Sequence, residues 1–377
     1  MHSSYAVINL SNLKYNFLNI RKKIKDTKIM AVVKANAYGH GMIECVSALN
    51  SFGKNKPNYF AVTTPKEGET LRNTKIKEPI LVFEPFRKGQ IHLLFENNLI
   101  ATVFDLNHLK ILEWGYKQYL KKHKKSLKIK VHIKVDTGMN RLGIESKKAL
   151  KFISLLDKNT IFKIDGIYTH FATSDERNKK FARLQIKRFE EILSKLNNAK
   201  INYGLAHAAN SGAILDLPES YFDMVRPGIA LYGYYPSLET TESIKLKPIM
   251  NLYSQIASIK QIEKGDTVSY GRKFTAKRKT KIASVPLGYA DGVNRQLSNK
   301  IEVIIKGKRY KQIGIIAMDR LMININNDNI KVGDKVIMFG NDKNNYISIW
   351  EWCKAIKTIP YEITCNISNR IPKIYKG

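Results

Sequence analysis

Short apolar runs alternate with longer segments of helical periodicity through the first two thirds of the chain. The apolar runs that predict strands lie at 29–34, 59–63, 80–84, 101–105, 129–136, 163–170, 203–209 and 222–226. Segments 109–120 and 184–196, between these runs, have apolar residues at helical spacing. Eight strand–helix units of this kind predict an α/β fold, a (β/α)8 TIM barrel. A doubly wound sheet is the alternative, although no Gly-x-Gly-x-x-Gly motif follows the first strand.

After about residue 240 the pattern changes to alternating apolar and polar positions with Gly-Asp and Gly-Lys turns. Such segments include EKGDTVSYG, IEVIIKGKRYKQIGII and VGDKVIMFG. They predict a C-terminal, mostly-β domain. We therefore expect a barrel over residues 1–238 and a β domain over residues 239–377, with about the first ten residues able to pack with the β domain. Because no long linker separates the two domains, we expect them to pack closely.

Composition changes this picture little, but the charge raises one alternative. The 377 residues are 44% apolar and 25% charged, as in folded soluble proteins. The net charge of +32, from 64 Lys and Arg against 32 Asp and Glu, is also typical of nucleic-acid-binding proteins. Only 117–130 forms a dense basic run, so we expect a solvated basic surface and no specific nucleic-acid partner. A barrel protein that binds nucleic acid remains the alternative, and it predicts binding that weakens steeply with salt.

No apolar stretch has the length that a membrane span requires, and the first residues lack a signal-peptide pattern. The three cysteines, Cys45, Cys353 and Cys365, lack the Cys-x-x-Cys spacing of zinc or redox sites. We therefore expect a cytoplasmic protein with buried, reduced thiols, no membrane partner and no metal site.

The ends of the predicted strands carry the candidate chemistry, because the active site of a TIM barrel lies at the C-terminal ends of its strands. Polar residues at or near these ends are Lys34, Lys134, Asp136, His170, His207, Asn210 and Arg226. Lys34 follows a buried apolar run, where desolvation favours the neutral amine, which is a base and a nucleophile toward aldehydes. A side chain that only extends to solvent is the alternative for Lys34.

The loops after the last two strands, 207–215 and 226–233, are rich in glycine and other small residues. In TIM barrels these loops often bind phosphate through backbone N–H groups, and Ser211, Gly228 and Ile229 are placed to do so. Ordinary strand-to-helix turns are the alternative. A lysine able to form an imine and a phosphate site at one barrel mouth together suggest pyridoxal 5′-phosphate as cofactor.

Nine segments, in order along nearly the whole chain, resemble the alanine racemase family. They are AVVKANAYGHG, HIKVDTGMNRLGI, THFATSD, HAANSGA, VRPGIALYG, VSYGRKF, PLGYADG, AMDRLM and PYEITCNISNRIP. The resemblance implies an N-terminal barrel, a C-terminal β domain, pyridoxal 5′-phosphate and a homodimer with shared active sites. It also implies interconversion of L- and D-alanine, with D-alanine supplied to peptidoglycan. A serine or broad-specificity racemase of the same family is the alternative, because motifs do not show which side chain a pocket prefers.

The resemblance also assigns roles to individual residues. Lys34 would hold the cofactor and act as base on one face of the substrate, and the partner subunit's Tyr270 would act on the opposite face. Arg226 would face the pyridine nitrogen, where a permanent cation limits electron withdrawal and favours simple proton exchange. Arg141 would contact the substrate carboxylate beside Lys134, a position that is often a carbamylated lysine in the family. The remaining positions are Tyr38, His170, Asn210, Ser211, Gly228, Ile229 and Tyr361 for the cofactor, and Met318 and Tyr289 for the substrate across the dimer.

Two positions depart from the family pattern. The family commonly has an arginine three residues before the methionine of the Met-Asp segment and a glutamine after its aspartate. Here these positions are Ile315 and Arg320. The departures concern the charges of the corridor that leads to the site, where Asp175 and Arg295 would be their partners, and they leave both bases in place.

Overall fold

A parallel barrel and a mostly antiparallel β domain make up the chain in the computed structural model, which describes residues 3–124, 126–342 and 345–377. Lys125, within the basic run 117–130, lies outside the described residues. The strands are β1 Tyr5–Asn9, β2 Lys28–Val32, β3 Tyr59–Val62, β4 Ile80–Val82, β5 Ile100–Val103, β6 Ile129–Asp136, β7 Ile144–Glu145, β8 Phe162–Tyr168, β9 Leu205–His207, β10 Met224–Val225, β11 Met250–Gln255, β12 Ser258–Ile262, β13 Thr280–Val285, β14 Glu302–Ile305, β15 Lys308–Ile313, β16 Leu321–Asn326, β17 Lys335–Asp342, β18 Asn345–Ile347 and β19 Lys373–Lys376. The helices are Leu10–Ile24, Met42–Asn50, Pro65–Asn73, Ile91–Glu96, Leu106–His123, Ser146–Asp157, Lys180–Asn198, Ser211–Asp216, Ile349–Ile356 and Pro360–Asn366.

The barrel sheet is parallel throughout, in the order β10-β2-β3-β4-β5-β6-β8-β9, with β7 paired to β6. Its two edges lie side by side, because the N–H of Asp223 donates to Ala206 O at 3.0 Å and the N–H of Arg226 donates to Ala209 O at 2.8 Å. The sheet therefore nearly closes on itself. All eight predicted strands are present, and the TIM-barrel prediction is confirmed.

Apolar side chains fill the barrel and the layer between strands and helices. Val131 and Ile133 of β6 are fully buried, as expected for strands of a parallel sheet that is covered on both faces. Helix Lys180–Asn198 buries Ile186 and Phe189 on its inner face at helical spacing. Polar side chains also lie inside the barrel, among them the fully buried His132 between Val131 and Ile133 of β6. Among the helices of the described residues, none has both the length and the hydropathy that a membrane crossing requires.

The C-terminal sheet has ten strands in the order β12-β13-β16-β15-β14-β17-β11-β1-β19, with β18 paired to β17. Most of its pairs are antiparallel, which confirms the prediction of a mostly-β C-terminal domain. The N-terminal strand β1 belongs to this sheet, antiparallel to β11 and parallel to β19. The division of the chain after residue 238 stays a prediction.

A buried asparagine, Asn16, joins the first helix to two later segments, one at the end of the barrel and one just before β11. Asn16 has no exposed surface; its Nδ2 donates to Leu231 O at 3.0 Å and to Lys247 O at 2.8 Å. Its Oδ1 accepts the N–H of Lys247 at 2.7 Å. Because the hydrogen bonds of Asn16 reach both the end of the barrel and the approach to β11, they fix the first helix against both.

Candidate active site

Lys34 begins a left-handed turn that follows β2. The four residues 35–38 all have positive φ, between 52° and 55°. For residues other than glycine this conformation costs about 1–2 kcal/mol each, so the surrounding structure must hold it. The N–H of Met42 donates to Asn36 Oδ1 at 2.8 Å and closes the turn. The turn places Lys34 and Tyr38 in the wall of one cavity.

This cavity has a volume of about 420 Å³ and lies where the barrel strands end, within the usual range for small-molecule sites. The predicted residues that line it are Lys34, Tyr38, Lys134, Arg141, His170, Asn210, Ser211, Arg226, Gly228, Ile229 and Tyr361. The residues that were not predicted are Val32, Thr63, Phe83, Glu84, Leu142 and Tyr168. The structure therefore brings most of the predicted site residues together around a single cavity.

The amine of Lys34 is half-buried, and its environment favours the neutral form. Burial lowers its pKa most, and the cation of Arg141 lowers it further. Two carboxylates, Glu67 and Glu84, and the thiol of Cys365 act in the other direction and raise the pKa. The net pKa is below that of a free lysine, as a base or a nucleophile at neutral pH requires.

Lys134, near the end of β6, is also a perturbed amine. Its side chain is buried, and burial lowers its pKa to about 8. The neighbouring cations Arg141, Arg226 and Lys34 act in the same direction, and Asp136 acts against them. An amine with this pKa is partly neutral at pH 7, which is a requirement for reaction with carbon dioxide.

Arg226 is only 3% exposed and is held by four acceptors. Its Nη1 donates to His207 Nδ1 at 2.7 Å, and its Nη2 donates to Thr169 O at 2.7 Å and Ala208 O at 2.9 Å, with His170 Nδ1 at 3.4 Å. Burial lowers the pKa of Arg226 to about 10, so the group stays cationic at neutral pH. Within the described residues Nε has no hydrogen-bond partner and remains available to a ligand in the cavity.

Two fully buried histidines, His207 and His132, continue the hydrogen bonds of Arg226 into the interior of the barrel. His207 Nε2 lies 2.9 Å from His132 Nδ1, and His132 Nε2 lies 3.5 Å from Asp165 Oδ2, an electrostatic contact that is longer than a hydrogen bond. Burial lowers the pKa of both imidazoles, and the cation of Arg226 lowers them further. Since arginine only donates, His207 Nδ1 must accept, and each imidazole then carries its proton on Nε2.

Ser211, Gly228 and Tyr38 form the other end of the cavity. The hydroxyl of Ser211 accepts the N–H of Gly228 at 2.9 Å and that of Ala230 at 3.3 Å. A Cβ at Gly228 would lie 2.4 Å from the Tyr38 hydroxyl, so only glycine permits this approach. A 3-10 helix begins at Ile229, and the first N–H groups of a helix lack intrahelical acceptors. Among the described residues the N–H of Ile229 has no acceptor, so this N–H and the hydroxyl protons of Ser211 and Tyr38 are the donors that a phosphate would need.

Three predicted residues lie outside the cavity, on the β domain. Tyr270, Tyr289 and Met318 are 71%, 42% and 53% exposed. Backbone hydrogen bonds join Tyr289 and the next residue to the 317–318 loop, at 3.1 and 3.0 Å. The residue before Tyr270 donates its hydroxyl to Ile315 O at 2.6 Å, at the start of the same loop. The three exposed residues therefore lie on backbone segments that hydrogen bonds connect, and we call them the tyrosine–methionine cluster.

The two positions that depart from the family pattern lie in and beside this loop. The backbone of Ile315 anchors the Tyr270 turn, and Arg320 donates to Ser284 Oγ at 3.2 Å. Arg295 lines a second cavity of about 410 Å³ together with Tyr289. The backbone carbonyl of Asp175 accepts the hydroxyl of Ser237, and the role of Asp175 and Arg295 in the corridor stays a prediction.

Several functional neighbours were not predicted. Tyr168, at the end of β8, stacks on the His207 ring with centroids 4.9 Å apart and lies under the Arg226 guanidinium at 5.2 Å. Its place at a strand end was a usable signal, but a tyrosine in an apolar strand is typical of a core residue. His132 gave a weaker signal, because it alternates with apolar residues inside β6.

A parallel barrel that brings a lysine amine and a buried arginine into one cavity, followed by a β domain, defines an α/β barrel enzyme. The family model described as alanine racemase, N-terminal domain, matches residues 8–236, and that of the C-terminal domain matches residues 249–375. Alanine racemase 2 of Caldanaerobacter subterraneus subsp. tengcongensis is 41% identical over 371 residues, 98% of this chain and 93% of that protein. The alanine racemase of Methanococcus maripaludis is 40% identical over 378 residues, 99% of each chain.

Solved structures agree with these relatives. An alanine racemase of Clostridium difficile 630 superposes with a TM-score of 0.92 at 37% identity, over 100% of this chain and 96% of that chain. The alanine racemase of Bacillus anthracis with bound L-Ala-P superposes with a TM-score of 0.89 at 34% identity, with the same coverage. This chain therefore belongs to the alanine racemase family and is an amino-acid racemase, an isomerase.

Proposed function

We propose that this protein interconverts L- and D-alanine with pyridoxal 5′-phosphate by a two-base mechanism, through Lys34 and the partner subunit's Tyr270. The observation that carries the proposal is the shared wall of one cavity, in which an amine of lowered pKa and a buried arginine meet. Alanine as the substrate is supported by the family and by the names of the relatives. The L-Ala-P bound to the Bacillus anthracis enzyme also supports a site for alanine derivatives.

The residues of the cavity fit this cofactor. The Lys34 amine suits its aldehyde, and the cations of the cavity suit its phosphate and phenolate. The approach of Tyr38 to Gly228, which a Cβ would block, leaves the hydroxyls of Tyr38 and Ser211 and the N–H of Ile229 as donors for the phosphate. When bound, the cofactor supplies an electron-withdrawing ring that makes the α-proton of an amino acid acidic.

Lys34 is the proposed base on one face of the α-carbon. Burial and the cation of Arg141 lower the pKa of its amine, so a neutral nitrogen is available to accept the α-proton. The same nitrogen, once protonated, can return the proton to that face. Inversion needs a second donor on the opposite face, because the α-carbon is planar after it loses its proton.

The partner subunit's Tyr270 is proposed as that second group. Burial raises the pKa of the three cavity tyrosines, Tyr38, Tyr168 and Tyr361, which makes them weak proton donors and leaves little phenolate to act as a base at neutral pH. The Tyr270 side chain is instead 71% exposed on a tight turn of the β domain, where a second subunit can receive it. We therefore propose a homodimer in which each tyrosine–methionine cluster completes the cavity of the other subunit.

Arg226 and Arg141 are proposed to set the electrostatics of the reaction. Arg226 stays cationic, and its available Nε suits the ring nitrogen of the cofactor, which it would keep unprotonated. Arg141 lines the cavity near Lys134 and is the proposed partner of the substrate carboxylate. A carbamate on Lys134 would add a negative charge that fixes the Arg141 guanidinium.

The proposed role in the cell is supply of D-alanine to peptidoglycan from the cytoplasm, and its support is membership of the family. A serine or broad-specificity racemase would use the same cavity, and the names of the relatives favour alanine. The nucleic-acid-binding role has no comparable support.

Subunit complementation tests the shared site. Lys34→Ala and Tyr270→Phe variants are each expected to lose racemisation of alanine when purified alone. When the two are mixed and allowed to exchange subunits, half of the dimers contain one intact site, so activity should return to about a quarter of the wild-type value. Differently tagged subunits would show that exchange has taken place. Mixtures that stay inactive after this exchange would refute a site shared between subunits. Activity in Tyr270→Phe alone would remove this residue from the mechanism.

A further inference from the structure

Glu67 connects the turn that carries Lys34 to the neighbouring strand-to-helix loop. It lies in the first turn of helix Pro65–Asn73, directly after β3. Its Oε1 accepts the N–H of Ala35, the residue after Lys34, at 2.7 Å. Its Oε2 accepts the N–H of Thr63 at 2.7 Å and that of Thr64 at 3.1 Å. One carboxylate thus holds three N–H groups from two loops of the barrel mouth.

The hydrogen bond from Ala35 to Glu67 lies at the start of the left-handed run 35–38. Ala35 is the first residue of the left-handed run 35–38, and its φ of 52° requires external support. The side chain of Asn36 closes the far end of the turn on Met42, whereas Glu67 holds the end next to Lys34. An N–H donor to a carboxylate makes a charge-assisted hydrogen bond, which is stronger than a neutral one.

We infer that Glu67 is a positioning residue for Lys34, because its carboxylate fixes the left-handed turn and thereby the place of the amine in the cavity. The inference rests on the proposed role of Lys34 as a base. It adds a function to a side chain whose other contacts are those of a helix start.

Helix capping is the competing explanation for Glu67. Thr64 Oγ1 accepts the N–H of Glu67 at 3.2 Å, and Glu67 Oε2 accepts the N–H of Thr64, which together form a capping box. The capping contact uses Oε2, and the contact to Ala35 uses Oε1. The two roles therefore reside on different oxygens and can be separated by substitution.

The carboxylate also acts on the charge of Lys34. The charged and titratable groups around this amine are Arg141, Glu67, Glu84, Cys365, Lys134 and His170. Glu67 raises the pKa of Lys34 against the larger effect of burial. Removing the negative charge of Glu67 is therefore expected to lower the pKa of Lys34 and to move the acid limb of the kcat profile to lower pH.

The test compares Glu67→Gln and Glu67→Ala with the control Thr64→Ala in the holoenzyme. The glutamine keeps one acceptor oxygen for Thr63 and Thr64, as in natural capping boxes, but it presents an NH2 group to the N–H of Ala35. Alanine has no side-chain oxygen, so Glu67→Ala removes the contacts to Ala35 and to the cap together. Thr64→Ala weakens the cap and leaves the contact to Ala35.

Hydrogen exchange of the peptide 28–41, kcat, KM and the pH profile are measured for each variant. We expect both Glu67 variants to lose protection in this peptide, to lose about tenfold or more in kcat with a smaller change in KM, and to shift the acid limb to lower pH. Thr64→Ala is expected to lower the melting temperature without these changes.

If the Glu67 variants match Thr64→Ala in exchange and in pH profile, Glu67 is only a cap and the inference is wrong. The proposed function has a separate test in the same series, the Lys34→Ala variant. Activity in Lys34→Ala would overturn the role of Lys34, while hydrogen exchange would still decide whether Glu67 holds the turn.

Discussion

Arg226 donates from Nη1 to Nδ1 of His207 across 2.7 Å, and this contact determines which ring nitrogens of two buried histidines, His207 and His132, carry protons. Because a guanidinium has no acceptor, His207 must be protonated on Nε2, which faces His132 Nδ1 at 2.9 Å. His132 then carries its own proton on Nε2, toward Asp165. Burial raises the pKa of Asp165, but its contacts with His132 and Tyr59 outweigh that effect and keep it a carboxylate. The cation at the cavity is therefore linked to an anion inside the barrel.

The first prediction concerns these tautomers. Nitrogen-15 NMR of histidine-labelled protein should show His132 and His207 as neutral Nε2–H imidazoles throughout the range from pH 6 to pH 8, because burial lowers the pKa of both. Assignment uses the His132→Gln and His207→Gln variants. An Nδ1–H tautomer or an imidazolium at pH 7 for either residue would contradict the hydrogen-bond directions from Arg226 to His207 and from His207 to His132.

The second prediction concerns the pH dependence of Lys134. A carbamate forms from the neutral amine, and the pKa of Lys134 is lowered to about 8, so the neutral fraction falls below this pH and rises above it. Carbon-13 bicarbonate should therefore give a carbamate signal that increases as the pH rises from 7 to 9. Lys134→Arg serves as the control and should lack the signal. A signal that persists in Lys134→Arg would assign the carbamate to another lysine.

The third prediction concerns the phosphate end of the cavity. Gly228→Ala introduces a Cβ 2.4 Å from the Tyr38 hydroxyl, so Tyr38 must move and affinity for pyridoxal 5′-phosphate should fall about tenfold or more. Removal of the hydroxyl in Gly228→Ala/Tyr38→Phe should cost less than the sum of the two single changes, since the clash is relieved. Equilibrium dialysis of the cofactor measures both effects. Additive losses would show that the two residues do not interact.

The fourth prediction concerns stability and does not depend on catalysis. Asn16→Leu removes one buried and two part-buried hydrogen bonds and leaves Leu231 O buried without this partner. The free energy of unfolding should fall by about 2 kcal/mol or more, because an unsatisfied buried group costs about 1–3 kcal/mol and the two part-buried bonds add to this loss. Asn16→Asp keeps the acceptor for Lys247 N–H and is the matched comparison in denaturant titration. Equal stability of Asn16→Leu and wild type would contradict the proposed anchoring.

Much of the barrel could be predicted from the sequence because strands buried on both faces leave continuous apolar runs. The predicted run 129–136 coincides with β6, and the predicted run 222–226 contains β10. Segment ends were less certain: the run 203–209 forms a strand only over Leu205–His207, since the following residues turn into the cavity. The pairing of β1 with β11 depends on contacts between distant parts of the chain, which periodicity does not record.

The candidate site was accessible from sequence mainly where a residue type has one dominant chemical use. Lys34 and Arg226 stand at strand ends and line the cavity. The left-handed conformation of 35–38 was not predicted, because alanine and tyrosine rarely adopt it and the contact with Glu67 that supports it comes from another loop. The roles of Tyr270 and its neighbours stay predictions, because they require a second subunit.

The central claim is that Lys34 and the partner subunit's Tyr270 move the α-proton on opposite faces of alanine. The most direct measurement is incubation of the holoenzyme with L-alanine in deuterated water, followed by NMR and chiral chromatography. We predict D-alanine with deuterium at the α-carbon from the wild-type enzyme, and neither exchange nor inversion from Lys34→Ala. The Tyr270→Phe variant, given L- and D-alanine in turn, should lose inversion with both and keep exchange only with the enantiomer whose α-proton faces Lys34. Inversion at the wild-type rate in either variant would contradict the two-base account.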